Sequence, residues 1–296
     1  MSRLCVGLGE VLWDELPGGR QLGGAPANFA YHAAALGARG AVVSRVGADP
    51  AGEAIGRRLR ELGIATEGVE RDPVAPTSTV TVNLGPGGQP LYTIHENVAW
   101  DFLAGEPGGQ GLVAQADAIC FGTLAQRSPV ARESIRRLLG LARPGARRIL
   151  DVNLRQHYHS PELIAASLAL ADVLKVNDAE LPLLAAMFGL PATERAQVEG
   201  LARKFNLRAV AFTRGARGSL LWAGGEWAEH PGVRTEVVDT VGAGDSFTAA
   251  LALGLLAGWP AAVISERATA VAAFVCSRAG ATPVLPEELR APFRPT

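Results

Sequence analysis

Asp239-Thr240-Val241-Gly242-Ala243-Gly244-Asp245-Ser246-Phe247, followed at once by an alanine-rich apolar run, organises the reading of this 296-residue chain. It reads as a strand end, a glycine turn and a helix start. With little or no side chain at Gly242, Ala243 and Gly244, backbone N–H groups at the helix start can approach a phosphate, and the helix end favours an anion there. Asp245 puts a carboxylate at the same place. A carboxylate repels an anion held beside it, so its presence calls for a task such as taking a proton from an alcohol that attacks a phosphoryl group. The plainer alternative is a glycine turn with Asp245 as an ordinary helix cap.

Composition narrows the field. Apolar residues make up 48% and charged ones 19%, which suits a globular chain with a substantial core. A net charge of -1 and a pI near 6.5 leave no electrostatic footprint for nucleic acid or an anionic membrane, so a small-molecule substrate is expected. Lys175 and Lys204 are the only lysines and neither follows a glycine, which excludes a Walker A loop. Cys5, Cys120 and Cys276 are odd in number and far apart, as in a protein of the reducing cytoplasm. Met1-Ser2-Arg3 leads directly into a strand-like run, with no signal-peptide pattern. His157 and His159 form the one close histidine pair, which without further ligands reads as solvated loop. Phe247 to Ile264 is uncharged and nearly long enough to span a membrane, but Gly258-Trp259-Pro260 breaks it into two buried helices.

Leu4 to Leu8 predicts a buried first strand, and Val11 to Leu16 alternates like an exposed hairpin strand. At Leu22-Gly23-Gly24-Ala25-Pro26-Ala27-Asn28 a glycine turn opens a helix running to about Leu36, with Asn28 in its first turn. Asn28 suits either hydroxyl binding or capping. Ala41 to Val46 predicts a strand and Gly52 to Leu62 a helix. Thr77 to Leu84, the turn Gly85-Pro86-Gly87-Gly88, and Leu91 to His95 predict a β-hairpin. With residues 10–22 it would make a small separate sheet, inserted at about 10–22 and 77–100 as a lid on a single α/β domain. One face of that lid would need cover by substrate or by a second copy in a homodimer. Strands are then expected at Ala118 to Phe121, Arg148 to Asp151, Val173 to Val176 and Ala209 to Thr213. Helices fall near 129–142, 161–170, 179–187 and 193–205. Such alternation implies a mainly parallel sheet covered on both faces, with ligands beyond the strand C-termini. Polar clusters fall at those ends: Asp151-Val152-Asn153-Leu154-Arg155, Asn177-Asp178-Ala179-Glu180 and Thr213-Arg214-Gly215-Ala216-Arg217-Gly218.

The two glycine segments, Gly23 to Asn28 and Asp239 to Asp245, together resemble the two signatures of the ribokinase-like (PfkB) family of carbohydrate kinases, in type and order. Gly9-Glu10-Val11-Leu12-Trp13-Asp14 and Asp151 to Arg155 look most like bacterial fructokinases. The resemblance implies a three-layer α/β/α domain with a mainly parallel central sheet and a small β-sheet lid, using ATP and Mg²⁺. It makes Asp245 the general base for a primary hydroxyl and Gly242, Ala243 and Gly244 the anion hole, with Arg155 near the transferred phosphate. Losing one such hole donor costs roughly 3 kcal/mol of transition-state stabilisation. The sugar would be held by Asp14, Gly23, Gly24 and Asn28, with His95, Asp151 and Asn153 in the same pocket. Asn177 and Glu180 match the element that orders Mg²⁺, mostly through water. Thr213, Gly215 and Gly218 match the nucleotide turn, and Ala273 and Cys276 would wall the adenine pocket. Asp239 and Val241 match a monovalent-cation site, K⁺ in relatives.

Relatives acting on 2-keto-3-deoxygluconate carry an aromatic–Arg pair in the second lid hairpin, where this chain has His95-Glu96. A glutamate repels a substrate carboxylate, and residues 88–103 contain no Lys or Arg to meet a sugar phosphate. A neutral sugar follows, fructose first, with ribose or a nucleoside behind it. A dinucleotide-dependent oxidoreductase is invited by Gly7-Leu8-Gly9, but the fingerprint needs a third glycine at position 12, which is leucine.

Overall fold

Short aliphatic runs, each stopped by glycine or a polar cluster, form strands buried on both faces, while the amphipathic stretches between them form the covering helices. The computed structural model describes residues 2–16, 18–84 and 90–294; the turn expected at Gly85-Pro86-Gly87-Gly88 lies outside them. The first half holds strands β1 (Leu4–Leu8), β2 (Leu12–Leu16), β3 (Gly19–Gly23), β4 (Arg39–Gly47), β5 (Ala65–Asp72), β6 (Thr79–Leu84) and β7 (Pro90–Ile94). Among them lie helices α1 (Ala25–Ala35) and α2 (Pro50–Glu61). Helix α3 (Pro107–Gln115) then opens an alternating run: β8 (Ala118–Phe121), α4 (Pro129–Gly140), β9 (Arg147–Asp151), α5 (Pro161–Leu168) and β10 (Val173–Asn177). Helices α6 (Glu180–Phe188) and α7 (Glu194–Lys204), β11 (Ala209–Thr213), β12 (Ser219–Ala223) and β13 (Glu226–His230) follow. The chain ends in α8 (Ala243–Ala257), α9 (Ala261–Cys276) and the short α10 (Glu287–Arg290).

The large sheet runs β13-β12-β11-β10-β9-β8-β1-β4-β5, all strands in one direction except β12, which pairs antiparallel with β11 and β13. Beginning at β1 the chain builds outward through β4 and β5, then returns to place β8 on the other side of β1. Ligands of open α/β sheets bind beyond the strand C-termini at such a reversal. Period-two alternation sorts the side chains: Leu4, Val6 and Leu8 enter a core with residues of α3 to α7, and Cys5 enters a second core with residues of α1, α8 and α9. The result is a three-layer α/β/α arrangement. A separate four-stranded sheet, β3-β2-β6-β7, joins two antiparallel hairpins through a parallel β2–β6 pairing.

One expectation needs correction, and one rejected alternative finds its structural reason. No strand leads into Asp239; residues 231–242 form a connecting segment, and the N–H groups of Val238 and Asp239 bond the Cys276 carbonyl at the end of α9 instead. Gly7-Leu8-Gly9 is no phosphate loop, because Gly7 lies inside β1 with α1 packed on it. A Cβ at Gly7 would stand 2.0 Å from the Pro26 carbonyl oxygen. Strands β5, β12 and β13 and helix α3 went unforeseen. The mixed polarity of β5 and β13 belongs to the two sheet edges, which lack the continuous apolar pattern of the centre.

Gly7→Val is therefore expected to destabilise the fold by at least about 2 kcal/mol, through overpacking against a backbone carbonyl that cannot retreat. Urea denaturation followed by circular dichroism measures it.

Candidate active site

The left-handed turn at Gly242 (φ 78°) starts α8, and a Cβ there would come within 2.4 Å of the Ala281 carbonyl oxygen. Among the described residues the N–H groups of Gly242, Gly244 and Asp245 carry no hydrogen bond, while that of Ala243 makes a 3.3 Å bond to the Thr240 carbonyl. The open amides at this helix end are thus Gly242, Gly244 and Asp245. Gly242 occupies the cap position and Asp245 lies in the first turn, which disposes of the simple capping role. The half-buried Asp245 carboxylate turns toward α1, where its Oδ2 accepts a 2.8 Å bond from Asn28 Nδ2. Burial pushes its carboxyl up to about 6; the Asp151 charge adds to this, and Asn28, Lys175 and Arg155 pull the other way.

Beneath the helix start lies a buried ionic group. Lys175, in the middle of β10, places Nζ 3.0 Å from Asp151 Oδ1, and Thr248 Oγ1 donates to Asp151 Oδ2 at 3.0 Å. Asp151, expected among the sugar ligands, is only 3% exposed, with one oxygen engaged by Lys175 and the other by Thr248.

On the side of the small sheet, Asp14 of β2 lies against Gly23 of β3; a Cβ at Gly23 would stand 2.2 Å from its Oδ2. Burial pushes Asp14 up to about 6, with Arg155 pulling down. Gly24 caps α1, whose Asn28 is buried with its Oδ1 unpartnered among the described residues. Exposed Arg155 is close enough to lower Glu10, Asp14 and Asp245 alike. Asn153, with φ 44°, turns the chain between Asp151 and Arg155. His95 is exposed and bonds Thr81 Oγ1 through Nε2 at 3.0 Å, and Glu96 accepts a 2.7 Å bond from the Tyr158 hydroxyl. Asp14, Gly23, Gly24, Asn28, Arg155 and Asp245 thus share one neighbourhood, while the His95 side chain is engaged with Thr81.

Further along the sheet edge, Asn177 Oδ1 accepts the N–H groups of Ala179 and Glu180 at 3.0 Å each. Glu180, buried in the first turn of α6, accepts Leu154 N–H on Oε1 and Asn177 N–H on Oε2. Each of these oxygens keeps a lone pair, and burial raises the Glu180 carboxyl against the pull of Lys175. A carboxylate tied down in this way suits an ion held through water better than direct ligation. Thr213 ends β11, and Gly215 and Gly218 shape the turn into β12. Ala273 and Cys276 lie partly exposed on α9. Asp239 spans two segments, accepting Val241 N–H on Oδ1 and Gly280 N–H on Oδ2 at 3.0 Å each.

This geometry has known counterparts. Residues 18–288 match the model of the pfkB family carbohydrate kinases. The chain belongs to that family. It is 30% identical to the fructokinase of Klebsiella pneumoniae, with 90% of this chain and 87% of that protein covered. The structure of Vibrio cholerae fructokinase in fructose-, ADP- and calcium-bound form superposes with a TM-score of 0.82 at 25% identity, covering 99% of each chain. Aminoimidazole riboside kinase of Salmonella enterica, with its riboside and an ATP analogue, gives 0.76 at 25% identity over 99% of this chain and 100% of that one. As a pfkB-family carbohydrate kinase the protein is a phosphotransferase with an alcohol group as acceptor.

Sequence reasoning passed over three residues that the fold brings beside Asp151 and Asp245: Lys175, Thr248 and Glu10. Lys175 could have been found, because a lysine inside the apolar strand Val173-Leu174-Lys175-Val176 must be paired to be buried. Glu10 is 3% exposed, has an unpartnered Oε2 and is pushed up to about 7, burial leading and the Asp245 charge adding to it. A carboxyl whose folded pKa is raised contributes stability below its unfolded value near 4.5, and that contribution is lost as pH rises through 7. Glu10→Gln, which keeps the neutral shape, should therefore match wild type in thermal melts near pH 4.5 and gain about 2 kcal/mol at pH 8.

Proposed function

We propose that the protein transfers the γ-phosphoryl group of ATP to a primary hydroxyl of a neutral sugar, fructose to fructose 6-phosphate. The observation that carries this reading is the convergence of the Asp245 carboxylate, oriented by Asn28, on the open amides of Gly242, Gly244 and Asp245 at the start of α8. A base and an anion hole within one helical turn suit in-line phosphoryl transfer, where catalysis is mostly positioning and charge stabilisation.

Asp14, Asn28 and the bare backbone of Gly23 and Gly24 bind the sugar hydroxyls and aim the acceptor oxygen at the γ-phosphorus. Asp245 takes its proton as the new P–O bond forms, and the α8 amides receive the charge on the transferred group. Arg155 steadies the phosphate oxygens from the opposite side. Asn177 and Glu180 would hold Mg²⁺ through water; the ion neutralises phosphate charge when bound. Thr213, Gly215 and Gly218, with Ala273 and Cys276 of α9, accept the nucleotide. Asp239 and the Val241 carbonyl offer oxygen donors of the kind a monovalent cation takes. The small sheet acts as a lid that excludes water from the bound sugar and so limits wasteful ATP hydrolysis.

Fructose leads because curated relatives of several bacteria and plants carry that activity in their names and because the lid segment 88–103 has no cation for an anionic substrate. A coupled kinase assay over fructose, ribose, 2-keto-3-deoxygluconate, fructose 1-phosphate and adenosine should show fructose with the highest kcat/KM. Another member of the panel in that place refutes the substrate while keeping the chemistry. Asp245→Asn should lower kcat by about three orders of magnitude with ATP binding retained in calorimetry. Because Asp245 must be ionised to accept the proton, wild-type kcat/KM should be flat above pH 7 and fall about tenfold per unit below pH 6.

A further inference from the structure

A lysine in the central strand of a parallel sheet carries a heavy desolvation cost that only close opposite charge offsets. Lys175 is 5% exposed and paired with Asp151 at 3.0 Å; Asp151, Glu180 and Asp245 together keep its ammonium protonated against the opposing effect of burial. Its position relative to α8 is fixed by contact. A Cβ on Gly244 would lie 2.8 Å from Lys175 Nζ and 3.6 Å from Cε, so the ammonium occupies the space that a side chain at 244 would need. A side chain at 244 and the ammonium in its present place exclude each other.

We propose that Lys175 is a positioning residue of the transfer site: braced by Asp151, its ammonium supports the turn at Gly244, next to Asp245, and sets a buried positive charge beneath the place where an anionic phosphate must arrive. This rests on the reading of Asp245 as the base. The groups that face Asp245 are Asn28 from α1, Arg155 from the segment after β9, Asp151 at the end of β9, and Glu10 after β1. Cys120 on β8 also feels it, its thiol held neutral by burial. Of these neighbours Arg155 is exposed and screened, so Lys175 is the buried positive charge that opposes Asp151 and Glu10.

The pKa of Asp245 can be read without any substrate by carbon-13 NMR of protein labelled at the aspartate carboxyls, its signal assigned by loss in Asp245→Asn. Lys175→Met should raise that pKa by about one unit, and Asp151→Asn should lower it by about one unit, because the two substitutions remove opposite charges from one pair. No movement in Lys175→Met, or movement in the same direction in both, overturns the proposal. If Lys175→Met does not fold, Gly244→Ala forces the ammonium aside and should raise the same pKa; an unchanged value there overturns the proposal equally. Where both fold, methionine lacks the terminal nitrogen, so an added methyl group at 244 meets only the 3.6 Å neighbour. Gly244→Ala should then cost about tenfold in kcat with ATP and fructose in the wild type but under about twofold in Lys175→Met, a coupling that independent sites would not show. Normal turnover by Asp245→Asn rejects the base; an inactive Asp245→Asn with an unmoved Asp245 pKa in Lys175→Met rejects the role of Lys175 alone.

Discussion

Crowding of negative charge at one sheet edge is the constraint on which this structure turns. Glu10, Asp14, Asp151, Glu180 and Asp245 meet beyond the strand C-termini against Lys175 and Arg155, and burial raises four of the five carboxyls. A site intended for polyphosphate has to tolerate still more negative charge. It does so with dipoles rather than added cations: the open amides of α8 are fixed, cost no side-chain entropy and point at one place. Lys175 fits the same economy, since a buried ammonium touching the helix start acts with little screening, whereas an exposed lysine would be weakened by water and salt.

The distance along the chain between partners shows what holds this arrangement together. Asn28 and Asp245 are separated by 217 residues and meet because α1 and α8 pack side by side on one face of the sheet, with Phe29, Ala33 and Leu36 in the same core as Phe247, Ala250 and Leu251. Small residues on α8 permit that approach. The Asn28–Asp245 bond therefore reports the correct docking of two helices, and the orientation of the Asp245 carboxylate is a property of the packed core rather than of the loop that precedes it.

Much of this was legible in the sequence. The central strands read correctly because buried parallel strands are short aliphatic runs with clear stops, and the glycine segments marked the two helix starts that meet at Asn28 and Asp245. Edge elements β5 and β13 escaped because one-sided burial dilutes their pattern. The segment before Asp239 was misread as a strand because β propensity at Val237, Val238 and Val241 does not reveal that its N–H groups find partners at the end of α9. The burial of Asp151 was not legible, because an aspartate at a strand end looks available. Its neutralising lysine lies 24 residues away, and only the parallel pairing of β9 with β10 brings Lys175 beside it.

The small sheet is tied to the chemistry more tightly than an appended flap would be. Strand β3 ends at Gly23, Gly24 caps α1, and α1 carries Asn28 four residues later, so the hairpin that presents Asp14 runs without slack into the helix that orients Asp245. A Cβ at Gly24 would come within 2.6 Å of the Glu10 carbonyl oxygen, which clamps that junction against the end of β1. Displacement of the β2–β3 hairpin is then resisted at Gly24 and carried to the start of α1 rather than taken up in a loop. On the proposed reading of Asp245 as the base, discrimination between sugars is then expressed in the placement of that carboxylate as well as in binding.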